Sequence, residues 1–327
     1  MSVQLESAPI DGWDAVVLTN DAMRLVVLPE LGGKILSLTS RATGRNWLWR
    51  NPVLPLQRPP ADVSSYGAYD FGGWDEVFPT VDPCRVLDST WSARPLTDHG
   101  ELWCRPWRIL ETECARDESA KLVMGLEDPD LPCYFERTLT LPAGHSMLTT
   151  DYRLDNRSAA PMPFIWAAHV LLAIEPGDFI HLPSGTHVTP TNSVGLEFAP
   201  HIDSFIWPKA TLADCKGIDF SRIPATDAAF AAKLFAENLR LGWVEVEHAI
   251  SAERLRFAFD PAIIPHIGMW MNFAAWSGAD TPPYFNIGIE PTSCNSDNLE
   301  QAFLCGTASI LQPGHNRRWK LSVQLLR

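Results

Sequence analysis

Short β-prone runs separated by turn residues recur along this chain, and they restrict its fold more than any other feature of the sequence. Most of the runs are five to eleven residues long, and they lie at 122–126, 134–141, 148–154, 162–172, 243–248, 255–259, 269–273, 284–289, 307–311 and 319–325. Near the start, Met23–Pro29 and Lys34–Thr39 flank the turn Glu30-Leu-Gly-Gly33. Such spacing is typical of strands joined by hairpins.

Helical patterns are scarce by comparison. The best candidate is Asp227–Leu239, where Phe230, Leu234 and other apolar residues recur at helical spacing. Residues 173–225 are richer in Pro, Gly, Asp and Thr, and we expect a long excursion of loops with one short helix. Many strands without a low-complexity linker predict one all-β domain spanning residues 1–327, a large antiparallel β-sandwich, because a single sheet of this size would curl or split.

Charge and cysteine content narrow the partners and the compartment. The net charge of −13 argues against nucleic acid or an anionic membrane as the main partner. The chain has no apolar run of membrane-spanning length and no visible secretory signal. Its seven cysteines are an odd number without a Cys-x-x-Cys pair, which favours reduced thiols in the cytoplasm.

Several common chemistries lack their sequence marks. There is no Walker loop and no helix-opening Gly-x-Gly-x-x-Gly for a nucleotide. A Gly-x-Ser-x-Gly nucleophile elbow and a His-Glu-x-x-His zinc motif are also missing. The motifs therefore predict no metal, although a site assembled from distant His and Glu side chains stays open.

Glu290 is the most suggestive carboxylate. A β-prone run from Tyr284 to Ile289 precedes it, and Pro291 and a polar stretch to Asn298 follow it. Since proline cannot donate to a sheet ladder, we expect the strand to end at Glu290 and a loop to begin there. A side chain at such a junction suits catalysis, but it could also only solvate the turn.

Two histidines stand in comparable settings. His169 follows the apolar run Phe164–Ala168, where an unpaired imidazole is costly and a structural role is an alternative. His99 lies in the loop-like stretch Asp98–Trp103, and its alternative is a surface position. With Glu290 these two histidines would supply an acid, a base and a donor, if the fold brings them together.

As a set, the motifs resemble the galactose mutarotase-like superfamily, and specifically its aldose 1-epimerase-related proteins. The matching segments occur in order along nearly the whole chain: Leu28–Ile35, Asp98–Gly100, Asp155-Asn156 followed by His169, Ile289–Thr292 and the closing strand Trp319–Leu325. The resemblance implies a β-supersandwich that holds a sugar in a concave groove of one sheet. It also implies that no cofactor is needed.

The resemblance assigns roles to the three candidates. Glu290 matches the general base that takes the proton of the anomeric hydroxyl, and His169 matches the general acid that protonates the ring oxygen. His99 matches the second histidine, which binds and polarises the sugar. The chain departs from the family at Gly73–Phe78, where mutarotases carry Asn-Arg-Ile, and after Glu290, where Pro-Thr-Ser replaces Thr-Gln.

Further substrate contacts are expected from residues near these motifs. We expect Glu76, Trp103 and Trp270 to line the groove, and the alternative is that they are core aromatics and a solvated acid. Lys34, Arg105 and Arg108 are candidates for binding a phosphorylated sugar. The leading hypothesis is an aldose 1-epimerase-like isomerase that interconverts anomers. The alternatives are a carbohydrate-binding or regulatory protein without turnover, and another sugar reaction such as elimination. The sequence names neither the sugar nor the oligomeric state.

Overall fold

Strands make up most of the regular structure of this chain. The computed structural model describes residues 2–60, 65–87, 89–92, 94–200, 202–278 and 281–327. In chain order the strands of these ranges are β1 (Gln4–Ile10), β2 (Trp13–Thr19), β3 (Met23–Leu28), β4 (Lys34–Ser40), β5 (Trp74–Val77), β6 (Arg108–Ala115), β7 (Ser119–Glu127), β8 (Cys133–Pro142), β9 (Met147–Asn156), β10 (Met162–Phe164), β11 (Ala167–Leu172), β12 (Phe179–His181), β13 (His187–Val194), β14 (Phe205–Ile206), β15 (Lys209–Thr211), β16 (Gly217–Asp219), β17 (Phe230–Glu237), β18 (Trp243–Glu247), β19 (Arg254–Phe259), β20 (His266–Phe273), β21 (Phe285–Thr292), β22 (Ser309–Leu311) and β23 (Asn316–Leu326). Two short helices accompany them, a 3-10 turn at Gly67–Tyr69 and α1 at Leu299–Leu304.

Two large antiparallel sheets contain most of these strands. The eleven-stranded sheet has the order β1-β2-β3-β4-β5-β11-β21-β20-β17-β13-β14. The eight-stranded sheet has the order β12-β18-β19-β23-β9-β8-β7-β6. The first predicted hairpin is β3 and β4, which pair antiparallel. The expectation of an all-β chain with large antiparallel sheets is confirmed.

One apolar core contains side chains from both large sheets. Its members include Leu25, Val170 and Ile289 from the eleven-stranded sheet and Leu139, Leu154 and Val323 from the eight-stranded sheet. Each such aliphatic side chain, when fully buried, stabilises the fold by about 1.5–3 kcal/mol. The eleven-stranded sheet therefore has one face committed to this core.

The opposite face of the same sheet is free to hold polar groups. Successive side chains of a strand point to opposite faces. In β21, Ile287 and Ile289 enter the core, so Asn286 and Glu290 point the other way. In β11 the same alternation puts Val170 in the core and leaves His169 on the face of Glu290.

The prediction of a helix at Asp227–Leu239 is wrong, because the chain forms strand β17 there. This strand lies between β13 and β20, well inside the sheet, and six of its eight residues are buried. A strand covered on both faces gives a continuous apolar run, which periodicity cannot separate from a buried helix. Residues 173–225 likewise form five strands and, in their described part, no helix.

Glu290 lies inside β21, not at its end as expected. The pairing with β20 continues past it, with Pro291 opposite Ile267 and Thr292 opposite His266. In an antiparallel pair, only alternate residues of a strand form backbone hydrogen bonds with the neighbouring strand. A proline, which has no N–H, can therefore occupy a position between them without breaking the pairing. The carboxylate is therefore fixed by strands on both sides.

No described helix is both long and apolar enough to cross a membrane. The cysteines in the described residues are free thiols, and Cys133 and Cys294 are buried.

Candidate active site

A cavity of about 660 Å³ opens on the face of the eleven-stranded sheet that points away from the core. Strands β11, β13, β17, β20 and β21 form its floor, and loops after β4, β5 and β21 form its walls. Most of the lining residues have polar side chains, among them Asp70, Asp82, Asp98, His99, His169, Lys233, Asn286, Glu290, Asn295 and Asp297. All three residues proposed from the sequence as catalytic, Glu290, His169 and His99, line this cavity.

Glu290 lines the cavity and has one buried, unpaired carboxylate oxygen. The residue is 2% exposed. Its Oε2 accepts a hydrogen bond of 2.6 Å from the Nζ of Lys233, whereas Oε1 has no partner. A buried acceptor without a donor is costly, so it is expected where a ligand supplies the missing hydrogen.

Two glycines make room for this carboxylate. Gly288 precedes Glu290 on the same face of β21, and Gly268 is its cross-strand partner on β20. A Cβ on Gly288 would lie 3.1 Å from Oε1, and a Cβ on Gly268 would lie 3.1 Å from Oε2. Any larger residue at either position would press on the carboxylate.

His169 is held beside Glu290 by strand register. The pairing of β11 with β21 joins Ala167 to Thr292 and Val170 to Ile289. The same register places His169 opposite Glu290, and opposite residues of an antiparallel pair share a face. The carboxylate of Glu290 and the imidazole of His169 thus belong to neighbouring residues on two adjacent strands.

His99 reaches the cavity from a loop, with a carboxylate as its partner. Its Nδ1 lies 2.7 Å from the Oδ1 of Asp98, and its backbone is in the left-handed region at φ 59°. Burial lowers the pKa of His99, but the hydrogen bond and charge of Asp98, with the charge of Glu290, raise that pKa above its ordinary value. A left-handed backbone at a residue that lines a cavity, together with a shifted pKa, is a common mark of a functional residue.

His169 has the opposite electrostatic setting. Burial, together with the positive charges of His99, Lys233 and Lys34, lowers its pKa well below the ordinary value. The ring centroids of the two histidines are 4.9 Å apart. Two imidazolium ions this close repel, so protonation of one ring disfavours protonation of the other, and Asp98 favours the proton on His99.

Tyr66 links the two imidazoles to the buried groups behind them. Its ring stacks on His99 with centroids 3.9 Å apart, and its hydroxyl lies 3.5 Å from the Nδ1 of His169. The same hydroxyl donates to Asp75 at 3.0 Å, and Asp75 accepts from the ammonium of Lys34 at 2.5 Å. Both histidines are therefore oriented by a buried network.

Aromatic side chains form another wall of the cavity. Trp270 and Trp276 meet edge to face, with centroids 5.6 Å apart. Asn272 holds the Trp276 turn by donating to its carbonyl oxygen at 2.9 Å. Beside them, Asn286 is buried and its Oδ1 has no partner. Indole rings next to an unpaired amide oxygen suit a ligand with both apolar faces and hydroxyl groups.

Glu76 does not line the cavity, contrary to the expectation. It is fully buried, and its carboxylate accepts hydrogen bonds of 2.9 Å from Arg137, Tyr152 and Trp166. On β5 it follows Asp75, and the alternation of side chains turns it toward the interior between the sheets. Its hydrogen bonds to Arg137 and Tyr152 join β5 to β8 and β9 of the other large sheet.

Three other expected contacts also lie outside the cavity lining, while Trp270 lies within it. Trp103 is buried behind Tyr66, with ring centroids 4.9 Å apart. Lys34 is buried against Asp75. The guanidinium of Arg105 is occupied by Glu101 and Asp128. Each cation is already paired with a carboxylate, which removes it from the predicted role of phosphate binder.

Several site residues were missed by sequence reasoning. They are Tyr66, Lys233, Trp276, Asn286 and Asp297. A two-residue alternation across Phe230–Glu237 would have placed Lys233 on a polar face, but the continuous apolar run hid it. No cluster of three or more His, Cys, Asp or Glu side chains suited to a metal ion occurs in the part of the chain that the structure describes.

Comparisons with known proteins agree with this architecture. A domain of unknown function, DUF5107, matches residues 6–96. A solved protein provisionally named aldose 1-epimerase, from Klebsiella pneumoniae, is similar at 13% identity with a TM-score of 0.73, covering 99% of this chain and 84% of that one. A galactose mutarotase-like protein from Clostridium acetobutylicum is similar at 12% identity and a TM-score of 0.66, with coverage of 100% and 99%.

A third solved structure is the galactose mutarotase related enzyme from Lactobacillus acidophilus. It is 17% identical to this chain, with a TM-score of 0.58 and coverage of 96% and 97%. Identities this low carry no substrate or reaction from one protein to another. Together with the sheet order, the alignments over almost complete chains show that this chain has the galactose mutarotase-like fold.

Proposed function

We propose that this protein is an aldose 1-epimerase-like isomerase that interconverts the anomers of an uncharged sugar. The observation that carries the proposal is the unpaired Oε1 of Glu290, buried in a cavity that also contains His99 and His169. The names of the structural neighbours support it. A binding protein without turnover would have no need for a base and a charged imidazole in one cavity.

Glu290 would act as the base. Its free Oε1 accepts the proton of the anomeric hydroxyl, and the carbonyl double bond forms as the bond between the anomeric carbon and the ring oxygen breaks. The ring oxygen gains a proton from an imidazolium. Rotation about the bond next to the aldehyde and reclosure from the other face give the second anomer, with both protons returned.

The electrostatics favour His99 as the imidazole that supplies the proton. The resemblance assigns this step to His169, but its low pKa keeps it neutral near pH 7. His99 is paired with Asp98 through Nδ1, which leaves Nε2 for the substrate. His169 would then be a neutral hydrogen-bond partner of the sugar.

The charges of the cavity favour a sugar without a phosphate. The described lining contains five carboxylates and a single lysine or arginine, and this lysine is paired with two of the carboxylates. Burial raises the pKa of Asp70 to about 6, so this group is largely but not fully ionised at pH 7. A phosphate dianion would face repulsion from these carboxylates, because Lys233 and His99 are each already paired with a carboxylate.

Anomer exchange measured by saturation-transfer NMR tests the proposal. A panel of free aldoses and their phosphates should give exchange with a free sugar, and Glu290→Gln should reduce kcat by at least about 100-fold while the protein stays folded. A Gln keeps the size of the side chain and the lysine contact through its carbonyl oxygen. Unchanged exchange in this variant would remove Glu290 as the base.

Two other results would change the assignment. Sugar affinity without exchange for every bound ligand would indicate a carbohydrate-binding protein. Ultraviolet absorbance from an unsaturated product would indicate elimination. The cytoplasmic location and the single domain over residues 1–327, both expected from the sequence, stay predictions.

A further inference from the structure

Lys233 places a buried ammonium group between two carboxylates of the cavity. Its Nζ lies 2.6 Å from the Oε2 of Glu290 and 3.3 Å from the Oδ1 of Asp297. Its side chain is 8% exposed, and that of Glu290 is 2% exposed. The three groups come from β17, β21 and the loop after β21, so the ammonium ties a loop to the floor of the cavity.

The sheet is shaped to allow this contact. On β20, which separates the two strands, Gly268 stands between Phe235 of β17 and Glu290 of β21 in the same row. Because Gly268 has no side chain, the long stem of Lys233 can reach diagonally across β20 to Glu290. The stem also passes the ring of Phe235, with Nζ 5.3 Å from its centroid.

The loop that carries Asp297 is also held by hydrogen bonds that do not involve Lys233. The backbone oxygen of Asp297 accepts hydrogen bonds from the N–H groups of Val81 and Asp82 at 3.0 and 2.7 Å. The Asp297 carboxylate therefore cannot move far from the cavity when the ammonium is removed. Two carboxylates would then remain close together in a buried place.

We propose that Lys233 is a positioning residue for Glu290: its ammonium group binds Oε2, turns Oε1 toward the substrate, and offsets the repulsion between the carboxylates of Glu290 and Asp297. This inference rests on the proposed function of Glu290 as a base and adds a residue to it. A lysine is suited to this place because its three N–H donors can serve two carboxylates at once.

The charged groups around Glu290 determine the direction of the effect. Lys233 faces it from β17 and His169 from β11, while Asp297, Asp82 and His99 face the same space from loops. Burial and the charge of Glu290 raise the pKa of Asp297, and Lys233 opposes them. Without the ammonium, the charge of Glu290 would act on Asp297 without an opposing positive charge, so Asp297 would bind a proton at a higher pH than in the wild type.

The first test is the pH profile of anomer exchange in Lys233→Met, which keeps the length of the stem. We expect kcat/KM at pH 7 to fall at least about tenfold and the acidic limb to move up by about one pH unit or more, with most of the activity regained at higher pH. Lys233→Arg should keep the acidic limb near its wild-type position, and Lys320→Met, at an exposed lysine, should change neither quantity.

The second test does not depend on turnover. Carboxyl ¹³C NMR, assigned with Glu290→Gln and Asp297→Asn, should show the pair taking up a proton at higher pH in Lys233→Met than in the wild type. If no sugar exchanges in the wild type, the proposed function fails, while this titration still decides whether Lys233 controls the carboxylate pair.

Two outcomes would overturn the inference. One is a loss of activity in Lys233→Met that is equal at every pH, with an unchanged carboxyl titration, which is what a purely structural lysine would give. The other is full activity with an unshifted acidic limb. If Lys233→Met does not fold, Lys233→Gln replaces it, and its acidic limb should likewise move up. Asp297→Asn gives the complementary comparison, because removal of the Asp297 charge should move the acidic limb of kcat/KM down.

Discussion

Replacing Arg137 with Met tests whether Glu76 belongs to the structure between the sheets and not to the sugar site. Both side chains of this ion pair are 0% exposed, and the two groups are 2.9 Å apart. Without the guanidinium, the carboxylate keeps only the neutral donors of Tyr152 and Trp166. Removing one partner of a buried pair costs about 3–5 kcal/mol of unfolding free energy.

The opposite replacement, Glu76→Gln, should cost a similar amount because it leaves Arg137 buried without its counter-ion. When both changes are combined, neither charge remains. The double variant should therefore lose less unfolding free energy than the sum of the single variants, by about 1–3 kcal/mol. Such a coupling would show that the pair acts as a unit.

Urea unfolding followed by tryptophan fluorescence measures these free energies, with refolding traces to check reversibility. Arg50→Met is a matched control, since Arg50 and Asp11 are also 2.9 Å apart but are 44% and 48% exposed. Its effect should stay within about 0.5 kcal/mol. The anomer exchange of folded Glu76→Gln should stay within about threefold of the wild type.

The reasoning would be refuted by the reverse pattern. Suppose that Glu76→Gln has the same urea midpoint of unfolding as the wild type but loses anomer exchange. Glu76 would then act on the sugar, and its ion pair with Arg137 would not be important for stability. If Arg50→Met is as destabilising as Arg137→Met, burial does not decide the energy of the pair.

Two further predictions concern the cavity itself. Asp98→Asn should lower the pKa of His99, because the main group that raises this pKa is lost. In the proposed mechanism the active form has His99 protonated. The alkaline limb of kcat/KM should therefore move down by about one pH unit or more, while activity near pH 6 is retained. An unshifted alkaline limb would contradict His99 as the acid. Gly288→Ala should reduce kcat about tenfold or more, because the new Cβ would press on the Oε1 of Glu290. Gly217→Ala is the control and should leave kcat unchanged, because the space around Gly217 is open. Equal activities of the two variants would show that the carboxylate tolerates displacement.

The strand pattern of the chain could be read from sequence because turns and β-prone residues act locally. The hairpin of β3 and β4, the long strands β8 and β9 and the closing strand β23 all lie where the pattern predicts them. The failures occur where burial on both faces removes the pattern. In β17 an apolar run imitates a helix, and in β21 the ladder continues through Pro291.

The composition of the cavity depended on long-range register. His169 lies beside Glu290 only because β11 pairs with β21, and the two residues are 121 positions apart in the sequence. The same applies to Lys233, which reaches Glu290 across a strand that lacks a side chain at Gly268. The local pattern of a single sequence does not determine which strands become neighbours.

By itself, the sequence determined the β-rich class of the chain, the resemblance to the mutarotase-like fold and three candidate residues, because these depend on local propensities and ordered motifs. The tertiary structure alone decided which acids face the cavity. Glu76 and Asp75 are adjacent, yet one points into the core and the other supports the site through Tyr66. This difference follows from the alternation of side chains in a strand. Which of the two residues faces the core is decided only when the sheet packs on the other sheet.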